Sequence, residues 1–440
     1  MVNGIDTYKD SGVEWIGKIP QNWKLVKTGR IFRNIKEIVK KKSATTERLA
    51  LTLNGVIKRN KDDAEGLQPE QFDSYQYLRK NQLVFKLIDL ENVNTSRVGL
   101  CPFDEGMVSP AYIVLQNNSS DNRYYHYYFV SLWHNEIFNH LGGDGVRSAL
   151  NSKDLLNIPT FDLPTEKQQA IADYLDKKCG EIDKIVETET AVIEKLKEYK
   201  QSIITEAVTK GLDKSVPLKD SGIEWIGKIP AHWEVCKIKY LAEIKGRIGF
   251  KGYTVDDLAD AKEEGCAVVL GGTNIMKEGY ISYDKLTYLK EYKYLESPEI
   301  MLHGGEILIT KVGAGTGDNA IYKYYQERVT INPNVMLCVP KDKKSSNFIN
   351  YFLLSPISKT EVLLESTKSG AQPAINQQFI KNHIITLPPV EEQQQIADYL
   401  DKKCSEIDKA ISDKEKVIEK FIEYKKSLIY ECVTGKKEMA

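Results

Sequence analysis

The run GAGTG, Gly313 to Gly317, follows a strand-like stretch and could form a loop that cradles a dinucleotide phosphate. The residues after it, DNAIYKYYQ, read as strand and not as helix, and no βαβ unit surrounds them, which argues against that chemistry. The triplet NPN, Asn332 to Asn334, lacks the aromatic pocket motif of an amino-methyltransferase. There is no GxxxxGK[ST], no HExxH and no paired Cys/His metal spacing. The six histidines stand alone, and the seven cysteines include no CxxC. Such cysteines read as structural thiols of a reduced, cytoplasmic protein. No combination rises to a catalytic constellation. What remains is polar and cationic residues on loops, whose meaning depends on the elements that carry them.

Those elements are duplicated. DSGVEWIGKIPQNW, Asp10 to Trp23, returns as DSGIEWIGKIPAHW, Asp220 to Trp233, with 11 of 14 positions identical at an offset of 210. IADYLDKKCGEIDK, Ile171 to Lys184, returns from Ile396 to Lys409 with one difference at an offset of 225. Each unit therefore reads as a Trp phrase, a variable segment and a shared charged segment. The expected domains are 1–163, a first globular segment with its Trp phrase, then 164–210, a first long helix. They continue with 211–388, linker plus second Trp phrase and globular segment, and 389–440, a second long helix and tail.

The shared segments read as helices that want a partner. Apolar or small residues fall at Ala172, Leu175, Cys179, Ile182, Val186, Ile193, Leu196, Ile203 and Ala207, with Glu189 and Lys200 in the two missing places. This is a heptad seam. The second copy gives Ala397, Leu400, Cys404, Ile407, Ile411, Ile418, Phe421, Leu428 and Cys432, with Lys414 and Lys425 at the matching gaps. Pro164 and Pro389 precede the helices, where proline is tolerated. Two such helices most simply pack on each other, antiparallel, about a pseudo-twofold axis, with Glu189 near Lys414 at the crossing.

The variable segments read as mixed α/β, one fold twice. Strand-like runs include QLVFKLI from Gln82, AYIVLQ from Ala111, CAVVLGG from Cys266, EILITKV from Glu306 and NVMLCVP from Asn334. Helix-like stretches, Asn122 to Phe138 and Asn347 to Leu364, occupy equivalent places. The chain has 440 residues and a net charge of −1, so a nucleic-acid surface would have to come from segregated charge. Residues 24–163 hold 19 Lys+Arg against 16 Asp+Glu, a small excess on the globular part. No run of 18 apolar residues exists, and the start, MVNGIDTYKDSG, does not read as a signal peptide.

In the two Trp phrases and in LPTEKQQAIADYLD and LPPVEEQQQIADYLD, the chain resembles the DNA-specificity subunit of type I restriction–modification systems over essentially its full length. GMVSPAYIVL and GGEILITKVGAGTG support the resemblance, while Thr165 and Lys167 depart from the commoner wording. The resemblance implies an α/β fold of two target recognition domains separated by long antiparallel coiled-coil helices. Each domain would read one half of a bipartite, asymmetric double-stranded DNA site, and the helices would set the spacing. It also implies a non-catalytic chain in the cytoplasm that binds two methyltransferase and two restriction subunits. S-adenosylmethionine, ATP and Mg would sit on those partners. The competing reading is a coiled-coil adaptor that holds two protein-binding domains.

Under that resemblance the loops matter most. Base edges are read by Arg, Lys, Asn, Gln, Ser or Thr, and phosphates by Lys, Arg and backbone N–H groups. In the first segment the candidates are Lys58, Arg59, Asn94, Ser96, Arg97 and Arg147. In the second they are Arg247, Lys251, Thr273, Asn274, Lys311, Thr316 and Gln372. Arg147 and Gln372 fall at equivalent positions. The four repeated tryptophans read as structural anchors between globular part and helix.

Overall fold

A computed structural model describes residues 7–61, 72–90, 97–141, 149–261, 265–370 and 372–437. The chain divides into two compact units, one of residues 1–190 with 415–440, the other of residues 191–414. Each unit takes one Trp phrase, one mixed α/β part and a piece of both long helices. Those helices are Thr165–Lys210 and Val390–Val433, each beginning directly after its proline. No helix among the described residues is long and apolar enough to cross a membrane.

In the first unit the Trp phrase is a hairpin, Tyr8–Asp10 against Lys18–Pro20, whose turn closes when Asp10 Oδ1 accepts from Gly12 N at 2.9 Å. Asp220 makes the same turn bond to Gly222 N at 2.8 Å in the second unit's hairpin, Leu218–Asp220 against Lys228–Pro230. The repeated phrase thus encodes a turn as well as a buried ring. Trp23 and Trp233 are both buried. Strand Leu25–Lys27 then pairs antiparallel with Pro159–Phe161, and Glu234–Lys237 pairs with Ile384–Leu387. This short two-stranded ladder anchors the start and the end of each variable segment side by side.

Between those anchors lies a four-stranded antiparallel sheet. In the first unit its order is Arg33–Asn34, Ile113–Gln116, Leu83–Lys86 and Arg97–Leu100. The second unit has Ala242–Gly246, Val335–Pro340, Ile307–Thr310 and Asn319–Ile321. DNAIYKYYQ therefore opens on a strand, as its pattern predicts. The second unit adds a further sheet in which Ala267–Leu270 runs parallel to Val329–Ile331. Helix Arg123–His134 covers the first sheet, with Phe85 and Phe129 meeting edge-on at 5.1 Å. The stretch Asn347–Leu364 is broken into Ser346–Leu354 and Pro356–Ser366. Proline at the first helical position forces the break, and the Ser355 hydroxyl caps the new helix by accepting from Ser358 N at 3.4 Å.

The long helices run antiparallel within each unit. In the first, Ile171, Leu175, Cys179 and Ile182 are buried in one core with Leu428, Ile429, Cys432 and Val433. The second buries Ile203, Ile204, Ala207 and Val208 with Ile396, Leu400, Cys404 and Ile407. Each cluster also contains the adjoining sheet and tryptophan, so the helix ends belong to the globular cores. Burial of this kind contributes roughly 1.5–3 kcal/mol per large aliphatic side chain. Toward the helix middles the seam residues Val186, Leu196, Ile411, Ile418 and Phe421 are only half-buried, though Ile193 is buried. Glu189 falls in the first unit and Lys414 in the second. The polar seam positions that pair within a unit are the other two: Lys425 donates to Asp183 at 2.6 Å, and Lys200 to Asp408 at 2.7 Å.

Each long helix stops against a tryptophan of the other copy. Gly211 and Gly435 take positive φ of 71° and 73°, where a helix turns out through a glycine. An added Cβ would lie 3.2 Å from Trp233 Cζ2 at Gly211 and 2.9 Å from Trp23 Cζ2 at Gly435.

Candidate nucleic-acid interface

In the second unit four loops far apart in sequence are tied into one cluster. They are Gly271–Asn274 after strand Ala267–Leu270, the turn from Lys311 to Asp318, Asn332–Asn334, and the segment from Lys368 to Ile375. Lys311 N donates to Asn334 O at 2.7 Å, Gly313 N to Pro373 O at 3.1 Å, and Ile375 N to Lys311 O at 2.9 Å. Asn332 N reaches Leu270 O at 3.0 Å. Gly272 packs so closely that a Cβ there would lie 2.9 Å from Thr310 Cγ2. The backbone bonds leave Thr273 and Gln372 exposed and Lys311 half-buried. The Lys311 ammonium makes no hydrogen bond or ion pair among the described residues. Thr316 is less available, because its hydroxyl donates to Gly313 O at 2.7 Å and Pro373 O at 3.0 Å.

Two of the expected base-reading residues point inward. Arg247 is 7% exposed, and its guanidinium donates to Ile331 O at 3.3 Å, Lys251 O at 3.3 Å and Thr330 Oγ1 at 3.4 Å. Burial pulls its pKa below the usual arginine range. Asn274 is 6% exposed, with Oδ1 accepting from Gly271 N and Nδ2 donating to Ser282 O and Lys285 O. Both therefore shape loops and are not presented to a ligand. Lys251 similarly ties its own segment down by donating to Glu296 O at 2.8 Å.

In the first unit, Lys58 ends the hairpin strand Gly55–Lys58, exposed, paired with Glu47 at 2.6 Å and 5.5 Å over Phe103. Arg59 follows it, half-buried, with its amide on Arg48 O at 2.9 Å. Arg97 begins strand Arg97–Leu100, and its guanidinium reaches Leu51 O at 3.5 Å. The same strand backs onto that hairpin, since a Cβ on Gly99 would meet Leu51 Cδ1 at 2.6 Å. Asn94, Ser96 and Arg147 lie outside the described residues. The described residues 149–150 and 374–375 are bonded alike in the two units. Leu150 N donates to Leu87 O at 3.1 Å as Ile375 N does to Lys311 O, and the bridge Ile88–Ala149 matches Val312–Ala374.

Several functional ties were not legible as motifs. Tyr127 OH donates to Asp176 Oδ1 at 2.7 Å, and Tyr351 OH to Asp401 Oδ1 at 2.6 Å, fastening the recognition-part helix to the long helix in both units. Burial and the neighbouring carboxylate push both phenols well above the ordinary range. The aspartates sit in the repeated phrase, and tyrosines at the same place in both helix-like stretches were the available signal. The long-helix start differs between copies. Trp233 Nε1 donates to Glu392 Oε2 at 3.0 Å, whereas Lys167 in the matching place sits 5.3 Å over the Trp23 ring.

Burial governs the thiols and one serine–histidine pair of these cores. All seven cysteines are free, and burial pushes Cys179, Cys236, Cys404 and Cys432 up to about 11. Ser358 Oγ and His383 Nε2 stand 2.9 Å apart, as a nucleophile and its base would, but both are buried, 0% and 5% exposed.

Residues 230–420 match the family described as the type I restriction modification DNA specificity domain. The chain is 26% identical to the MjaVIII specificity subunit of Methanocaldococcus jannaschii, across 95% of this chain and 94% of that one. It is 22% identical to the EcoKI specificity subunit of Escherichia coli, across 62% of this chain and 56% of that one. Among solved structures, one from a study of complex assembly and conformational transition of the type I R-M system superposes with a TM-score of 0.69 at 14% identity, covering 95% of this chain and 99% of that one. The HsdS subunit of Thermoanaerobacter tengcongensis superposes with a TM-score of 0.50 at 14% identity, covering 95% and 98%. Shared sequence across the length, the matched domain and the shared fold agree: the chain is similar throughout to the DNA-specificity subunits of type I restriction–modification systems.

Proposed function

We propose that each unit reads one half of a bipartite, asymmetric site on double-stranded DNA, and that the long helices set the spacing between the halves. The observation that carries this reading is one frame built twice with different contents. The hairpin, the two-stranded anchor, the four-stranded sheet and the long helix recur. The loops hung on them do not: Lys311 in the second unit matches Leu87 in the first, and Gln372 matches Arg147. A donor in one copy that meets a different donor, or an apolar residue, at the equivalent place in the other gives the two copies different base preferences.

The chain in this reading does no chemistry itself. Two methyltransferase subunits dock on it and supply S-adenosylmethionine, and two restriction subunits join them with ATP and Mg. The assembly works in the cytoplasm. The adaptor reading is weaker, because it gives no reason for one frame to be kept twice while polar loop residues such as Lys311 and Gln372 change between the copies.

The test is an exchange of residues 24–163 for the matching segment of a relative, followed by sequencing of methylated DNA from cells that also hold the methyltransferase. One half of the methylated motif should change and the other persist. A motif changed in both halves, or no sequence preference at all, would overturn the reading.

A further inference from the structure

The first unit carries an open groove of about 670 Å³ between the turn after strand Leu25–Lys27 and the short helix Ser152–Asn157. Its lining includes Lys24, Lys27, Arg30 and Lys153, and no carboxylate. All four cations are exposed, and the floor is the half-buried Leu25, Val26 and Leu156. Lys27 Nζ donates to Asn157 Oδ1 at 3.2 Å. The other three make no side-chain hydrogen bond or ion pair among the described residues. The groove is built rigidly. Thr28 is fully buried and ties the turn to Ile158 O through both its amide at 2.9 Å and its hydroxyl at 2.8 Å. Gly29 lets the turn approach the helix, since a Cβ there would lie 3.2 Å from Leu156 O.

A chain of net charge −1 that gathers four cations around one groove has segregated its charge, and such a surface draws a polyanion. We propose that this groove holds the phosphodiester backbone of the DNA and positions the first unit on it without reading bases. The proposal rests on the DNA-reading function above and adds a site to it. Two observations favour phosphates over an acidic protein face. Three of the four cations are lysines, which protein interfaces deplete and phosphate contacts use. The groove also lies on the turn and short helix of the repeated frame and not on the loops that differ between the copies, which suits a contact that carries no sequence information. The second copy keeps the turn, tied the same way from Ile238 N to His383 O at 3.0 Å, and keeps Lys237 at the place of Lys27, while Glu234, Tyr240 and Gln378 stand at the places of Lys24, Arg30 and Lys153, so the four-cation groove belongs to the first unit alone.

The experiment uses the full chain in complex with its methyltransferase. A variant with Lys24→Gln, Lys27→Gln, Arg30→Gln and Lys153→Gln is titrated with cognate duplex and with a duplex scrambled in both half-sites, across a range of salt. Both affinities should fall by about tenfold or more, and together. The slope of log affinity on log salt should become shallower by roughly 2 to 4, at about 0.9 for each phosphate that the variant no longer neutralises. The methylated motif should stay the same. A second variant, Lys24→Arg, Lys27→Arg and Lys153→Arg, should keep both affinity and slope. Unchanged affinity and slope in an assembled quadruple variant would overturn the groove and leave the reading function standing. So would a loss confined to cognate DNA, which marks a base reader, or failure to co-elute with methyltransferase, which marks a protein-docking face. An unsubstituted complex that bound both duplexes equally would instead sink the reading function.

Discussion

Lys200 Nζ lies 2.7 Å from Asp408 Oδ2, and the pair 225 residues out of phase, Lys425 and Asp183, meets at 2.6 Å. Two lysines that interrupt an apolar seam thus each find a carboxylate on the antiparallel helix. The lysine side chains are largely covered, 15% and 27% exposed, while the aspartates are 56% and 61% exposed. Solvent screens such pairs, so they act more on register than on stability.

Asp408→Ala should lower stability by at most about 1 kcal/mol, as exposed pairs do. A double-mutant cycle with Lys200→Ala, read by denaturant unfolding, should return a coupling of about 0.2–1 kcal/mol that shrinks in high salt. A coupling that salt leaves unchanged would contradict a screened ion pair.

Glu392→Ala should cost more than Lys167→Ala, although the two residues occupy matching places. The first leaves the buried Trp233 N–H without its acceptor, a penalty of about 1–3 kcal/mol. The second removes a cation over the Trp23 ring, worth about 0.5–1 kcal/mol. Unfolding followed by tryptophan fluorescence compares them, and equal losses would count against the hydrogen bond.

Acid should loosen the second unit between pH 6.5 and 4. His383 is buried, stacked 5.3 Å from the Trp225 ring, and burial lowers its pKa from 6.5 to about 4. The unfolded chain therefore takes up the proton first as pH falls. Stability is constant above 6.5 and declines below it by about 1.4 kcal/mol per pH unit until the folded form also protonates. His383→Gln should flatten that stretch of a stability-against-pH curve; an unaltered slope would show that His383 does not carry it.

A fragment ending near Lys214 should form a homodimer. Alone it lacks Leu428, Ile429, Cys432 and Val433, which cover Leu175, Cys179 and Ile182. A second copy supplies Ile203, Ile204, Ala207 and Val208 at the matching positions and brings Lys200 to the place of Lys425 opposite Asp183. Sedimentation should show twice the fragment mass. With methyltransferase, the dimer should mark an inverted repeat of the first half-site; a stable monomer would mean that the copies are not interchangeable.

The sequence determined the frame because its signals are local and written twice. A phrase whose Asp closes a turn and whose Trp needs burial specifies a hairpin with an anchor. Apolar residues at alternating threes and fours after a proline specify a long helix with one sticky face. Which loop residues face a ligand was not local. Arg247 reads in sequence as a loop arginine free to meet a ligand, yet it is turned onto Ile331 O and Thr330, 84 and 83 residues away. The partner of each seam lysine depended on helix direction, which places Asp183 beside a residue 242 positions on. The cations of the groove were invisible for the same reason. Lys24, Lys27 and Arg30 are scattered surface charges until the ladder of Leu25–Lys27 on Pro159–Phe161 brings Lys153 beside them. Periodicity reports how one element buries itself, but a binding surface is made by elements meeting, and only the tertiary structure decides which charges become neighbours.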